Sequence, residues 1–201
     1  MPPARAPDDV NRAFHLVAIA ASAGGLAALA TILKDLPSDF SLPIALVQHV
    51  DPEHKSRVAD ILGRRTALRV IEAANGDRPA PGVVYVAPPG RHLEFDAEGA
   101  ISLTRGQPVH YLRPSADRLF GSAAHVFGPV IAIVLTGTGS DGADGARAIR
   151  AAGGIVIAQD RESSAFFGMP QAAIDAGVVD RVIPLTAIAA ALQELSEAAE
   201  S

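Results

Sequence analysis

The chain has 201 residues, with 22 acidic and 17 basic side chains, a formal net charge of −5 and no cysteine. That length suits one domain with a single sizeable core. An acidic balance without a dense Lys/Arg stripe disfavours nucleic acid as a partner, and the lack of cysteine excludes disulfides, thiol nucleophiles and thiolate metal clusters while fitting a reducing cytoplasm.

Residues 1–13 are proline-rich and charged and read as a disordered tail ahead of one folded domain over 14–199. A strand is expected at about 15–21, then a helix from about 25 to 36, where Pro37 stops it. The uncharged run 16–33 would attract a signal-peptide or membrane reading, but Asp8 and Asp9 spoil a positive leader and Gly24-Gly25 interrupts the run. No membrane insertion is therefore expected. A second strand at about 43–48 precedes a helix at about 56–65, and 68–72 and 82–87 read as short strands. The segments 91–95 and 101–104 flank a turn and predict an antiparallel hairpin. Ser115 is expected to cap a helix running to about Phe127. Strands at 129–136, 155–159 and 179–184 alternate with helices at 141–152, 169–176 and from about 187. The alternation predicts an α/β fold: a doubly wound, mainly parallel sheet flanked by helices, with a small antiparallel hairpin.

Three of these strands end in polar segments. Ala21-Ser22-Ala23-Gly24-Gly25 follows the first, Gln48-His49 the second, and Gly137-Thr138-Gly139-Ser140-Asp141-Gly142 the strand at 129–136. Ligands of open α/β sheets bind beyond the carboxyl ends of the strands, so Ser22, His49 and Asp141 can converge there as nucleophile, base and orienting acid. Each has a plainer reading. Ser22 alone is a helix N-cap, although the small residues after it would leave its hydroxyl near free N–H groups at a helix start. His49 alone is a hydrogen-bonded core histidine. Asp141 alone is an Asp-Gly turn or N-cap. His54 sits in a charged stretch and reads as solvated, while His15, His92, His110 and His125 follow no strand end at the same crevice. Asp144 repeats the Asp-Gly form one turn deeper in the helix.

A rival reading uses the same residues. Gly137 to Gly142 matches G-x-G-x-x-G after a strand, with Asp160 downstream, as in a dinucleotide-binding α/β protein. Asp141 beside a pyrophosphate would be electrostatically unfavourable, and the motif comes late in the chain. A non-catalytic signalling module is the other alternative.

Taken together, the segments resemble the catalytic domain of the bacterial chemotaxis protein-glutamate methylesterases, the CheB family, over about 15–195. The resemblance rests on the three segments above, on Tyr85-Val86-Ala87-Pro88, Arg113-Pro114-Ser115-Ala116-Asp117, Leu135-Thr136 and Phe167-Gly168-Met169-Pro170, in that order and spacing. It implies a Ser22-His49-Asp141 triad with an oxyanion hole from the backbone N–H groups of Ala23 and Thr138. The family usually has threonine at the position of Ala23 and methionine at that of Thr138. It also implies hydrolysis of glutamate γ-methyl esters on the cytoplasmic helices of methylated chemoreceptors, with deamidation of receptor glutamines as a related activity. No metal or organic cofactor is called for. Arg113, Phe167, Gly168 and Met169 are expected to shape the substrate cleft, with a surface ion pair the plainer role for Arg113. Only about fourteen residues precede the first strand, too few for the family's receiver domain. The expectation is activity independent of phosphorylation in cis, with any control from a separate regulatory protein or receptor availability.

Overall fold

In the computed structural model, which describes residues 14–50 and 56–197, the chain alternates strand and helix. Strand β1 (Val17–Ala21) leads into α1 (Gly25–Lys34), β2 (Ile44–Gln48) into α2 (Val58–Gly63), and β3 (Arg69–Glu72) is followed by β4 (Val83–Val86). The antiparallel pair β5 (His92–Phe95) and β6 (Ile101–Thr104) comes next, as the turn at 96–99 predicts. The chain continues through α3 (Ala116–Phe127), β7 (Ile131–Val134), α4 (Ala143–Ala151), β8 (Ile155–Gln159), α5 (Gly168–Asp175), β9 (Arg181–Ile183) and α6 (Ile188–Glu197). Most predicted elements are present but shorter by one to three residues at their ends. The expected tail at 1–13 and His54 both lie outside the described residues.

Seven strands pair in the order β3-β4-β2-β1-β7-β8-β9, and every neighbouring pair is parallel. β1 has β2 on one side and β7 on the other, so the chain's winding reverses there. A crevice opens beyond the strand ends at that switch point.

Both faces of the sheet are covered, so its central strands are apolar throughout rather than alternating with polar residues. Val17, Ile19, Ala21, Ile44 and Leu46 face α1, α2 and α6 through Leu29, Leu33, Leu62 and Leu192. Leu16, Ala18, Ala20, Ala45 and Val47 face α3, α4 and the hairpin through Leu119, Phe120, Ala146 and Phe95. The period-two alternation fixes which way the first residues beyond each strand point. Gln48 continues the α1 side of β2, and His49 continues the α3 side.

The uncharged run 16–33 is thus a buried strand, a turn and a helix of ten residues. Among the described residues no helix is long and apolar enough to cross a membrane.

Candidate active site

Ala21 pairs with Gln48 in the parallel register of β1 and β2, so Ser22 and His49 occupy the next rung. The His49 N–H donates to Ala21 O at 3.0 Å and the Ser22 N–H to Thr136 O at 3.0 Å, which extends the sheet to the edge of the crevice. Gln48 secures the rung from below. Its Nε2 donates to Ser22 O and to His49 O, each at 2.9 Å. The turn after Ser22 needs Gly24, whose φ of +78° is left-handed and where a Cβ would lie 2.9 Å from Ala165 Cβ. Gly25 N–H closes the turn on Ser22 O at 2.8 Å.

On the α3 side of the sheet, His49 Nε2 lies 2.8 Å from Asp141 Oδ2, with side-chain exposures of 8% and 0%. Asp141 comes from the loop after β7 and sits on the amino end of α3. Its carboxylate accepts from Ser115 Oγ at 2.7 Å, Ala116 N–H at 2.6 Å and Asp117 N–H at 3.2 Å. Burial works against ionisation of Asp141, but the bonds from His49, Ala116 and Ser115 outweigh it and hold the pKa at about 2. An ionised carboxylate only accepts, so His49 Nε2 carries the proton, and in the neutral imidazole the lone pair is on Nδ1. That tautomer suits a base.

The carboxylate of Asp117 answers that of Asp141. Its Oδ1 accepts from Gly142 N–H at 3.0 Å and Gly145 N–H at 2.7 Å, at the amino end of α4. Burial, with Asp141's charge adding to it, raises its pKa to about 6 despite these bonds.

The loop 136–139 forms the third wall. Thr136 Oγ1 accepts from Phe166 N–H at 2.9 Å and lies 3.0 Å from Ala23 O, to which it donates. Gln159 Oε1 accepts from the Thr136 N–H at 2.9 Å. Gly137 is squeezed between Met169 Sδ and Ser22 Cβ, so a side chain there would displace one of them. The N–H groups of Gly25 and Gly137 are spent within the fold, on Ser22 O and Phe166 O, whereas those of Ala23 and Thr138 bond to no other backbone group among the described residues.

A conserved-domain model described as CheB methylesterase matches residues 17–192. This chain belongs to the CheB methylesterase family. A CheB-family relative from Myxococcus xanthus, protein-glutamate methylesterase FrzG, is 46% identical over 182 residues, covering 90% of this chain and 54% of that protein. A second, from Rhizobium meliloti, the protein-glutamate methylesterase/protein-glutamine glutaminase of group 3 operon, is 45% identical over 91% of this chain and 52% of its own length. The chain thus spans about half the length of the curated relatives it matches. The crystal structure of the Thermotoga maritima CheB methylesterase catalytic domain superposes with a TM-score of 0.87 at 37% identity, covering 92% of this chain and all of that one. The CheB fold is therefore the one predicted, a mainly parallel doubly wound sheet with a small antiparallel hairpin.

Three expectations about side chains need correction. Ser115 is the N-cap residue of α3 but its side chain makes no capping bond; the hydroxyl goes to Asp141, which takes over the capping. Arg113 forms no ion pair among the described residues. Its Nη1 donates to Gly106 O at 3.0 Å and Arg105 O at 3.4 Å, which ties down the segment before α3. Met169 is buried at 1% exposure in the core, so it supports the 136–139 loop from behind and does not line an open cleft. Phe167 is half-buried under Arg161, whose guanidinium carbon lies 4.3 Å from the ring centroid, and it bridges to Gly137. Gly168 stands against the same loop, where a Cβ would approach Gly137 O to 3.1 Å and Gly139 N to 3.2 Å.

The dinucleotide reading fails on electrostatics. The N–H groups that would cradle a pyrophosphate at the start of α4 already bind the Asp117 carboxylate, and Asp141 is turned inward to His49. Sequence reasoning singled out neither Ser115 nor Asp117 as working parts, although both lie in one of the segments carrying the resemblance. Thr136 and Gln159, buried polar residues at strand ends, were equally visible signals.

Proposed function

We propose that this chain hydrolyses γ-methyl esters of glutamate side chains in a protein substrate, with Ser22 as nucleophile, His49 as general base and Asp141 as the acid that orients it. The observation that carries the reading is the His49–Asp141 bond, one rung beyond β2, on the same rung as Ser22 beyond β1. Family membership supplies the substrate class, since the matched relatives are named for that reaction.

In the first half-reaction His49 Nδ1 takes the Ser22 hydroxyl proton as Oγ bonds to the ester carbonyl carbon. The Ala23 and Thr138 N–H groups receive the developing oxyanion. Collapse breaks the C–OCH3 bond, His49 returns its proton to the departing oxygen, and methanol leaves an acyl-enzyme. Water, deprotonated by His49, attacks that acyl group and releases glutamate and Ser22. Asp141 stays ionised throughout and stabilises the imidazolium. With a glutamine carboxamide the same steps release ammonia, so deamidation needs no further residue. The proposed substrates are the cytoplasmic helices of methylated chemoreceptors.

The test is methanol release from methylated receptor fragments by the wild-type chain and by Ser22→Ala. Turnover that disappears with Ser22→Ala supports the reading. Equal turnover by the two proteins sinks the nucleophile assignment, and receptor binding with no methanol from the wild type would mean a non-catalytic module.

A further inference from the structure

Ser22, which by alternation follows Ala18 and Ala20 on the α3 face, also borders a cavity of about 380 Å³ between α1 and α2 whose lining includes Gln48 and Arg65. A second groove, of about 600 Å³, continues along α1 between Lys34 and the Arg64–Arg65 pair. The two share Ala27 and Arg65, so they form one channel leading away from the serine. Its floor follows from the sequence. Ala27, Ala30, Thr31 and Lys34 recur at helical spacing on one side of α1, exposed at Ala27 and Lys34 and buried at Ala30, and three of the four are too small to fill the gap to α2.

The charge of this channel opposes that of the molecule. Lys34, Arg64 and Arg65 are exposed, and no carboxylate among the described residues lines either cavity, although the chain carries a net charge of −5. None of the three cations forms an ion pair with a described residue. The other described arginines with nearby carboxylates, such as Arg118 with Glu94 and Arg150 with Asp180, are paired on other faces.

We infer that this channel is the docking groove for an acidic polypeptide segment flanking the scissile ester, with Arg65 taking the carboxylate nearest Ser22 and Lys34 and Arg64 those further along. The inference rests on the ester-hydrolase reading above. Its chemistry follows from the reaction itself. Each turnover converts a neutral ester into a glutamate carboxylate, so a substrate with several such glutamates becomes more acidic as it is processed. Cations beside the nucleophile then favour segments with demethylated neighbours, and make successive hydrolysis on one segment faster than the first. Exposed charges of this kind act through encounter and orientation, and they weaken as salt rises.

Binding can be measured apart from turnover. The probe is a labelled synthetic helical peptide carrying one glutamate methyl ester flanked by free glutamates, titrated against Ser22→Ala protein by fluorescence anisotropy. A matched peptide has glutamines in place of the free glutamates. The acidic peptide is expected to bind about tenfold more tightly than the glutamine peptide at low salt, with the gap closing as salt is raised. Adding Lys34→Glu with Arg64→Glu should erase the preference, and Arg118→Glu on another face should not. Equal affinities for the two peptides, or a preference that survives the double reversal, would overturn the groove. So would equally tight binding of inorganic polyphosphate, since that would mark a general anion patch. Peptide discrimination without methanol release by the wild-type chain would leave the groove standing and remove the ester-hydrolase reading.

Discussion

Asp141 and Asp117 each cap the helix on which the other depends. The Asp141 carboxylate takes the Ala116 and Asp117 N–H groups at the start of α3, and the Asp117 carboxylate takes the Gly142 and Gly145 N–H groups at the start of α4. Two negative groups are stable so close together because two helix amino ends point at them. Their proton affinities are driven apart, to about 2 for Asp141 and about 6 for Asp117. The difference lies in their partners. Asp141 adds His49 and Ser115 to its backbone donors, whereas Asp117 Oδ2 is buried without a hydrogen bond, and His110 Nε2 is 3.6 Å from it.

Stability should therefore depend on pH in two opposed steps. Asp117 binds its proton more tightly folded than unfolded, so its favourable contribution is complete below about 4 and is lost as pH rises through about 6. Asp141 runs the other way, contributing fully above about 4 and losing that as pH falls toward 2. Asp117→Asn should remove the upper step, leaving the variant equal to wild type near pH 4 and about 1–2 kcal/mol more stable near pH 7.5. Urea unfolding across that range checks this, and an unchanged slope in the variant would refute it.

Ser22→Ala and His49→Ala should each lower methanol release by roughly 10³-fold or more; Ser22→Ala should leave the urea midpoint nearly unchanged, whereas His49→Ala, which strips buried Asp141 of a partner, should also cost about 1–3 kcal/mol of stability. Asp141→Asn should also disturb the α3 cap. The carboxamide keeps one acceptor where four donors converge, so it should cost about 3 kcal/mol of stability as well as activity. A variant as stable as wild type would show that the α3 cap does not depend on the charge.

The oxyanion contacts are assigned to backbone, so side-chain changes at Thr138 should matter little. Thr138→Ala should stay within about threefold of wild-type kcat, while Thr138→Pro, which removes the N–H, should lose about 10²–10³-fold. Comparable losses in the two variants would remove Thr138 N–H from the site.

Gly137→Ala forces a methyl between Met169 Sδ and Ser22 Cβ, which lies 2.7 Å from the built position. We expect at least a tenfold fall in kcat and about 1–3 kcal/mol lost in stability from overpacking. Met169→Ala empties the same place from the other side and should cost about 2–5 kcal/mol. Pairing the two, Gly137→Ala with Met169→Ala, should recover part of the activity if the clash is the cause; no recovery would place the defect elsewhere.

Much of this was legible from the chain because strand ends are where its polar residues stand. Ser22, His49 and Asp141 each follow an apolar run, and in a parallel sheet that alone brings their backbones to one crevice. Family resemblance added which serine and which histidine to propose as nucleophile and base. The supports were less visible. Ser115 before a helix looks like a capping residue, and only the tertiary fold brings Asp141 from 26 residues away to take its hydroxyl. Asp117 reads as an ordinary first-turn acid, and its bonds to Gly142 and Gly145 depend on how α3 and α4 pack. Met169 and Arg113 sat in segments rightly associated with the site, but motif membership does not distinguish a residue facing substrate from one behind the loop.

The shared rung of β1 and β2 makes the gap between Ser22 and His49 a dimension of the sheet. Adjacent strands lie about 4.8 Å apart wherever they pair, so this spacing is set by backbone hydrogen bonds that hold with or without substrate. No loop has to close to create it, and no loop can adjust it. The same ruler is unforgiving along the chain. One residue inserted within β1 would turn Ser22 to the opposite face of the sheet, away from His49, and would exchange large side chains on one face for small ones on the other. The spacing of Ser22 and His49 is thus set by the strands they follow, which can change sequence but not length.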